Sequence, residues 1–301
     1  MEEYTPKHSD NSTPDKKKIN KIIYGVVAAI AAAVLLIALI ILGIKFFGGR
    51  EDFGDYKNNI SSTSSAALPA NPIDFKEIQA KNPDVCAWIQ VDGIDIIDYP
   101  ILQSAAEADD NYYLNHDINH VEKLAGSIYI QKLNGKDFDD PNTLIYGHNM
   151  LNGTMFGQLK KFRNKEFFNK NRNIYIYTPG HILKYEIISA FVYDDRHIIN
   201  SFNFDLETSR MQFFDECTNP TSFTKQVLEG ATLDADDKII TLSTCTSNDS
   251  ERYLVVGKLV SDTQTVYSGL VSEIEDTLES EESTSTTSTD SSEVTNTENS
   301  N

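Results

Sequence analysis

The longest apolar run in the chain lies near its N-terminus. Residues 22–44 are 23 consecutive residues without a charge, and as a helix they would extend about 35 Å, enough to cross a bilayer core of about 30 Å. A signal peptide usually has a shorter apolar core of about 7–15 residues, and no clear small-x-small cleavage site follows this run. We therefore expect a retained transmembrane anchor, with a cleaved signal peptide as the alternative.

The charges beside this run predict its orientation. Four lysines lie within residues 16–21, whereas residues 45–55 carry charges of both signs. Because positively charged flanks stay on the cytoplasmic side of a membrane, we expect a single-pass protein with its N-terminus in the cytoplasm. Everything after residue 48 would then lie outside the cell.

Short β-rich runs separated by turn residues fill the chain from residue 71 to about 267. Examples are VCAWIQV, NTLIYGH, KYEIISAFVY and KIITLSTC, a pattern typical of a β-barrel or sandwich. Asp74 is a candidate N-cap for a short helix. Apolar residues recur at helical spacing in 155–169, and 206–228 is predicted as one or two helices, the second over about 220–228.

Composition divides the chain into five segments. The stretch between the apolar run and residue 71 is rich in Gly, Ser, Asn and charge, which predicts a flexible stalk. The last 31 residues carry nine acidic residues and no Lys or Arg, and so supply nine of the 19 net negative charges. The predicted segments are a cytoplasmic N-terminal segment (1–21), a transmembrane signal anchor (22–44), a flexible stalk (45–70), a globular domain (71–270) and a disordered acidic Ser/Thr-rich tail (271–301).

Cysteine usage points to one candidate nucleophile. Three cysteines, Cys86, Cys217 and Cys245, are odd in number and do not form a disulfide framework. Cys245 ends an apolar strand, and Arg252 opens the next strand after a short polar loop. Antiparallel pairing would bring the two residues within about 5 Å. A cation favours the reactive thiolate, and arginine can donate hydrogen bonds to an oxyanion, although a core cysteine and a surface arginine would give the same pattern.

Acyl transfer at a thiol also needs a proton shuttle, a role that suits histidine. His148 differs from the other five histidines because it follows LIYG at the end of an apolar strand. A capping or packing role is the alternative. Spacing along the chain does not place His148 beside Cys245.

The segments around these residues resemble the class B sortases. Residues 139–162, which contain YGHNM, resemble the signature around the catalytic histidine of that class, and TLSTC resembles the sortase T-L-x-T-C motif. Arg252 matches the sortase arginine, and further similarity lies in 82–103, 110–114 and 125–130. The resemblance covers about residues 70–265. Thr246 and Gln131 depart from it, since the class often has acidic residues there, and the loop between Cys245 and Arg252 is short for the class.

The resemblance implies a mostly β fold, a closed eight-stranded β-barrel with peripheral helices, preceded by the N-terminal transmembrane helix. It implies a cysteine transpeptidase with His148, Cys245 and Arg252 as catalytic residues and with Asn111 and Ser243 near the substrate groove. The substrate would be a secreted protein with an NPxTG-like C-terminal sorting motif, cleaved after Thr. A Cys thioester would then transfer the acyl group to an amine of the peptidoglycan cross-bridge or of a pilin.

The same resemblance implies a location on the extracellular face of the membrane in a Gram-positive-type envelope. We expect no cofactor, no metal site and no nucleic-acid partner. Two other functions fit the same residues. One is a cysteine peptidase that uses water as acceptor, and the other is an inert sortase-like surface scaffold.

Overall fold

The computed structural model describes residues 16–47, 51–57, 68–105 and 109–266. They belong to two compact units, one ending at Gly49 and the other beginning at Arg50. The first contains helix α1, Lys16–Phe47, within which Tyr24–Ile41 is long and apolar enough to cross a membrane. An N-terminal signal sequence would satisfy the same criteria. The predicted acidic tail lies outside the described residues.

The second unit is built around a β-barrel. Its described helices are α2 (Phe75–Lys81), α3 (Lys165–Lys170), α4 (Ile198–Ser201) and α5 (Glu207–Thr218). Its described strands are β1 (Val85–Val91), β2 (Asp98–Leu102), β3 (Ile128–Ile130), β4 (Asn142–Tyr146), β5 (Asn173–Thr178), β6 (His181–Asp194), β7 (Lys225–Val227), β8 (Ile239–Cys245) and β9 (Glu251–Gln264).

Eight of these strands close into a ring, which confirms the predicted barrel. The order around it is β5-β1-β2-β3-β4-β8-β9-β6, and β6 pairs with β5 to complete the circle. The pairs β2–β3 and β4–β8 are parallel, and the other neighbours in the ring are antiparallel. Closure removes the exposed strand edges that an open sheet would leave.

Two apolar layers use opposite faces of the same strands. Ile240 and Leu242 of β8 belong to the main core with Trp88, whereas Ile239 packs in a second cluster against Phe213 of α5. Because side chains alternate across a strand, odd-numbered positions of β8 face outward. Cys245 is one of these positions.

Strand β7 corrects one sequence-based expectation. The predicted helix over about 220–228 is instead a strand that pairs with residues 189–191 of β6. Strand β6 has 14 residues, and β5 covers its second edge only as far as Glu186. The remaining backbone groups of β6 need partners, and that long-range requirement overrides local helical preference.

The local helix signals hold in part. Asp74 caps α2 as predicted, since its Oδ1 accepts a hydrogen bond of 3.0 Å from the Glu77 amide. The helical spacing over 155–169 gives two short pieces instead of one helix, a 3₁₀ turn at Leu159–Arg163 and then α3. The break occurs at Asn164, whose side chain caps α3.

The predicted flexible stalk over 45–70 is wrong for residues 51–57, which we call the N-terminal strap. The Phe53 side chain is only 9% exposed and packs edge-on against Trp88 and Tyr99, with ring centroids 5.6 and 6.3 Å apart. Lys57 pairs with Asp98 of β2. The strap has only two aromatics, Phe53 and Tyr56, among polar and charged residues. Two residues do not establish a periodicity, so the sequence pattern did not reveal this anchor.

We expect Phe53→Ala to lower the free energy of unfolding of the barrel by about 2–4 kcal/mol, because it removes a buried ring and leaves a cavity beside Trp88. Urea unfolding followed by fluorescence measures this directly, since Trp88 is the one tryptophan in the chain. The matched control is Phe223→Ala, at a fully exposed ring, with an expected change within about 0.5 kcal/mol. Equal effects of the two substitutions would contradict the packing of the strap.

Candidate active site

The parallel pair β4–β8 brings together two segments that are distant in the chain. Thr143 pairs with Ile240 and Tyr146 with Ser243. Beyond the strand ends, the Gly147 amide donates to the Ser243 carbonyl at 3.2 Å, and Thr244 Oγ1 donates to the Gly147 carbonyl at 2.7 Å. Continuing the register by two residues beyond Tyr146 and Ser243 would bring His148 next to Cys245.

Gly147 has a steric reason to be glycine. A Cβ at this position would lie 2.4 Å from the Ile128 side chain and 2.7 Å from the Phe156 ring, both of which belong to the core. Any larger residue would clash with these two side chains and displace the end of β4. The glycine of the YGH sequence therefore permits the close approach that sets the position of His148.

The antiparallel hairpin β8–β9 supplies the second neighbour. Cys245 is directly opposite Arg252, as the sequence predicted, and the Cys245 side chain is exposed. Arg252 Nη1 donates to the carbonyls of Asp249 and Glu251 at 2.8 and 3.0 Å. Its Nε and Nη2 groups have no partner among the described residues, so they are available to a ligand.

Contact with a main-chain carbonyl orients the His148 ring. Its Nε2 lies 2.8 Å from the Leu114 carbonyl oxygen. Because a carbonyl only accepts hydrogen bonds, Nε2 carries a proton, which leaves Nδ1 as the nitrogen that can take up or release one. A thiol, an oriented imidazole and a guanidinium at adjacent strand ends can together perform nucleophilic attack, proton transfer and oxyanion stabilisation.

Comparison with known proteins agrees with this geometry. The sortase domain profile matches residues 89–260. The chain belongs to the sortase family. Sortase B of Listeria monocytogenes is 35% identical over 193 residues, which cover 62% of this chain and 74% of that protein.

Solved structures give the same relationship, and they place the chain among the class B sortases. A cysteine-to-serine mutant form of Clostridium perfringens sortase B has a TM-score of 0.55 and 32% identity, and the match covers 62% of this chain and 86% of that one. Sortase B of Bacillus anthracis in complex with AAEK1 has a TM-score of 0.55 and 31% identity, covering 65% and 88%. Like its relatives, this sortase is a cysteine transpeptidase with a cell-envelope association.

The other two thiols of the sortase are held in the apolar layers. Cys86 and Cys217 are buried and unpaired, and they lie in different clusters. Burial raises the pKa of the Cys86 thiol to about 12, and burial likewise raises the pKa of Cys217 well above its ordinary value. Both stay protonated and inaccessible at neutral pH, whereas Cys245 is exposed at the rim of the barrel.

The two predicted groove residues of the sortase occupy different environments. Ser243 is 5% exposed and shares the outward parity of Cys245. Asn111 is exposed and immediately precedes the 3₁₀ turn Tyr112–Leu114, whose last carbonyl orients His148. Both positions border the cluster, and their part in substrate binding stays a prediction.

Sequence reasoning missed several residues that support the sortase site. Thr244 joins the two parallel strand ends, and the Leu114 carbonyl orients the histidine. Tyr129 and Tyr146 stack with ring centroids 5.3 Å apart next to Ser243. The Thr of T-L-x-T-C was a visible signal, but its partner lies 97 residues away and no local pattern reveals it.

We expect a charged methanethiosulfonate reagent to modify one thiol per native chain, with loss of that reaction in Cys245→Ala. Mass spectrometry before and after denaturation measures the stoichiometry, which should rise to three on unfolding because buried thiols then ionise. Cys217→Ala is the matched control and should leave native labelling unchanged. Rapid labelling of native Cys245→Ala would contradict this assignment of accessible and buried thiols.

Proposed function

We propose that this sortase cleaves a C-terminal sorting signal of secreted proteins, an NPxTG-like motif, after its Thr. The Cys245 thiolate attacks the Thr carbonyl carbon, and electrons move onto the carbonyl oxygen. The free Nε and Nη2 groups of Arg252 donate to that oxyanion. As the intermediate collapses, the C–N bond breaks and His148 Nδ1, protonated at this stage, gives its proton to the departing amine. A Cys245 thioester remains.

The second half of the reaction uses the same groups in reverse order. An amine of a peptidoglycan cross-bridge or of a pilin attacks the thioester carbon while His148 Nδ1 accepts its proton. Arg252 again stabilises the oxyanion, and the C–S bond breaks to release the new amide and the Cys245 thiolate, which restores the starting state with His148 Nδ1 protonated. The Leu114 carbonyl keeps Nε2 protonated in both halves, so only Nδ1 changes its protonation state.

One observation supports the proposal above all others, namely that three strand ends converge. Cys245 and Arg252 are opposite each other in one hairpin. His148 follows β4 by two residues, and β4 pairs in parallel with β8 up to Tyr146 and Ser243, which supports placing His148 at the same rim. Ser243 and Asn111 border this rim and are the residues that we propose to contact the sorting peptide.

The apolar helix supports a proposal for location. We propose that residues 22–44 are a retained single-pass anchor with the N-terminus in the cytoplasm, since four lysines precede the span. The catalytic domain then lies on the extracellular face of a Gram-positive-type membrane. Secreted substrates and wall amines both occur there, so the anchor would place the enzyme where its two substrates meet.

The test uses the full chain in detergent with peptides that contain NPxTG-like motifs, with and without triglycine. Mass spectrometry should detect cleavage after Thr and a triglycine adduct. Both products should fall below detection in Cys245→Ala and decrease by at least about 10²-fold in His148→Ala. Arg252→Lys should lose about 10²–10³-fold in kcat, because one ammonium cannot replace the guanidinium donors at the oxyanion.

Arg210→Lys is the matched control, since Arg210 lies on α5 with its Nη1 on the Phe204 carbonyl, and its kcat should stay within about twofold. Cleavage with water as the sole acceptor would indicate a cysteine peptidase instead. Absence of any product from a broad peptide panel, together with an unreactive Cys245, would indicate an inert scaffold.

A further inference from the structure

A chain of hydrogen bonds runs from the start of α4 to an exposed amide beside the active site. The Asn200 amide donates to His197 Nδ1 at 3.3 Å, and His197 Nε2 lies 2.8 Å from Gln131 Oε1. Gln131 Nε2 then donates to Asn111 Oδ1 at 2.9 Å. We call Asn200, His197, Gln131 and Asn111 the amide relay.

The relay has a single polarity. Because His197 Nδ1 accepts from a backbone N–H, its proton is on Nε2, which donates to the Gln131 carbonyl oxygen. Tyr146 Oη donates to the same oxygen at 3.3 Å, so the amide nitrogen of Gln131 must face Asn111. Gln131 is only 6% exposed, so turning this amide around would leave buried polar groups without partners at a cost of about 1–3 kcal/mol.

The side-chain oxygen of Asn111, which accepts from Gln131, also accepts from a second donor. Tyr129 Oη donates to Asn111 Oδ1 at 3.0 Å. Burial raises the pKa of the Tyr129 phenol, and the nearby negative charges of Asp109 and Cys245 raise it further. The hydroxyl therefore remains a donor, and Asn111 Oδ1 is occupied twice. Asn111 Nδ2 has no partner in the part of the chain that the structure describes, and the side chain is exposed.

The position of Asn111 connects this polarity to the reaction. Tyr129 stacks on Tyr146, and Tyr146 is opposite Ser243 on the outer face that carries Cys245. Asn111 also precedes the turn whose Leu114 carbonyl orients His148. The two free N–H groups of Asn111 are thus presented next to the catalytic cluster.

We propose that Gln131 and His197 are positioning residues that hold the Asn111 carboxamide with its N–H groups toward the substrate. This part of the groove then binds a hydrogen-bond acceptor, a main-chain or side-chain carbonyl oxygen of the sorting peptide. The inference rests on the proposed function, because it assigns a binding group for that same peptide.

Two substitutions at His197 separate this role from a structural one. Asn at 197 keeps an oxygen near the position of Nδ1 and so keeps the cap on α4, but it is too short to reach Gln131. Gln at 197 places an N–H near the position of Nε2 and keeps the relay, while the cap is weakened. Thermal stability should fall in the variant that weakens the cap. Substrate affinity should fall in the variant that breaks the relay.

The measurement is peptide cleavage by the full chain in detergent, with kcat and KM determined separately and Tm recorded for each variant. His197→Asn should raise KM about five- to tenfold with kcat within twofold and Tm unchanged, as expected for one lost hydrogen bond. His197→Gln should keep the wild-type KM and lower Tm by a few degrees, about 2–4 °C. Gln131→Glu, which accepts from His197 but cannot donate to Asn111, should raise KM as His197→Asn does.

Double substitution tests whether the relay acts through Asn111. His197→Asn combined with Asn111→Ala should have the KM of Asn111→Ala alone, because a broken relay has nothing left to orient. Asn111→Asp, which has the shape of Asn111 without its N–H groups, should raise KM at least as much as Asn111→Ala.

Cleavage by the unsubstituted chain is measured first and tests the proposed function separately. Equal KM in His197→Asn and His197→Gln, additive KM effects in the double variant, or a wild-type KM in Asn111→Asp would each overturn the relay while leaving the proposed function intact.

Discussion

The parallel pairing of β4 with β8 is the constraint on which the active site depends. These strands are joined by a long stretch of chain, and their relative position is fixed at the rim by two hydrogen bonds, from the Gly147 amide and from Thr244 Oγ1. A shift of one residue would turn every outward side chain inward. The register of this pair therefore decides which residues follow the two strand ends, and the proposed cooperation of His148 with Cys245 depends on it.

The fold also separates the exposed thiol of Cys245 from the two buried thiols. Strand β8 places Ile240 and Leu242 inside and the odd-numbered residues outside. Ile239 near the start of β8 belongs to the apolar cluster that also contains Phe213 and Cys217 of α5, so Cys217 is buried, whereas Cys245 at the end of β8 is exposed. The place of each cysteine in the fold thus decides which thiol a reagent in solution can reach.

Local patterns predicted the parts of the structure that local forces determine. The Cys245–Arg252 pair followed from two adjacent strands and a short loop, and the Asp74 cap followed from a single turn of helix. That His148 acts together with Cys245 could be predicted only from the family resemblance. Strap residue Phe53 and strand β7 were missed, because their conformations are decided by a pocket beside Trp88 and by the unpaired edge of β6, which are distant in sequence.

The departure from the family pattern at residue 131 gains a physical meaning from the amide relay. Class B sortases, which this sequence resembles, often have an aspartate there. A carboxylate could accept from His197 but could not also donate to Asn111, because an ionised carboxylate has no N–H or O–H group. An amide does both, and its buried position makes the direction costly to reverse. Gln131 therefore couples the orientation of the exposed Asn111 side chain to His197. If Asn111 binds the peptide as proposed, substitutions at residues 131 and 197 would change peptide binding without touching His148, Cys245 or Arg252.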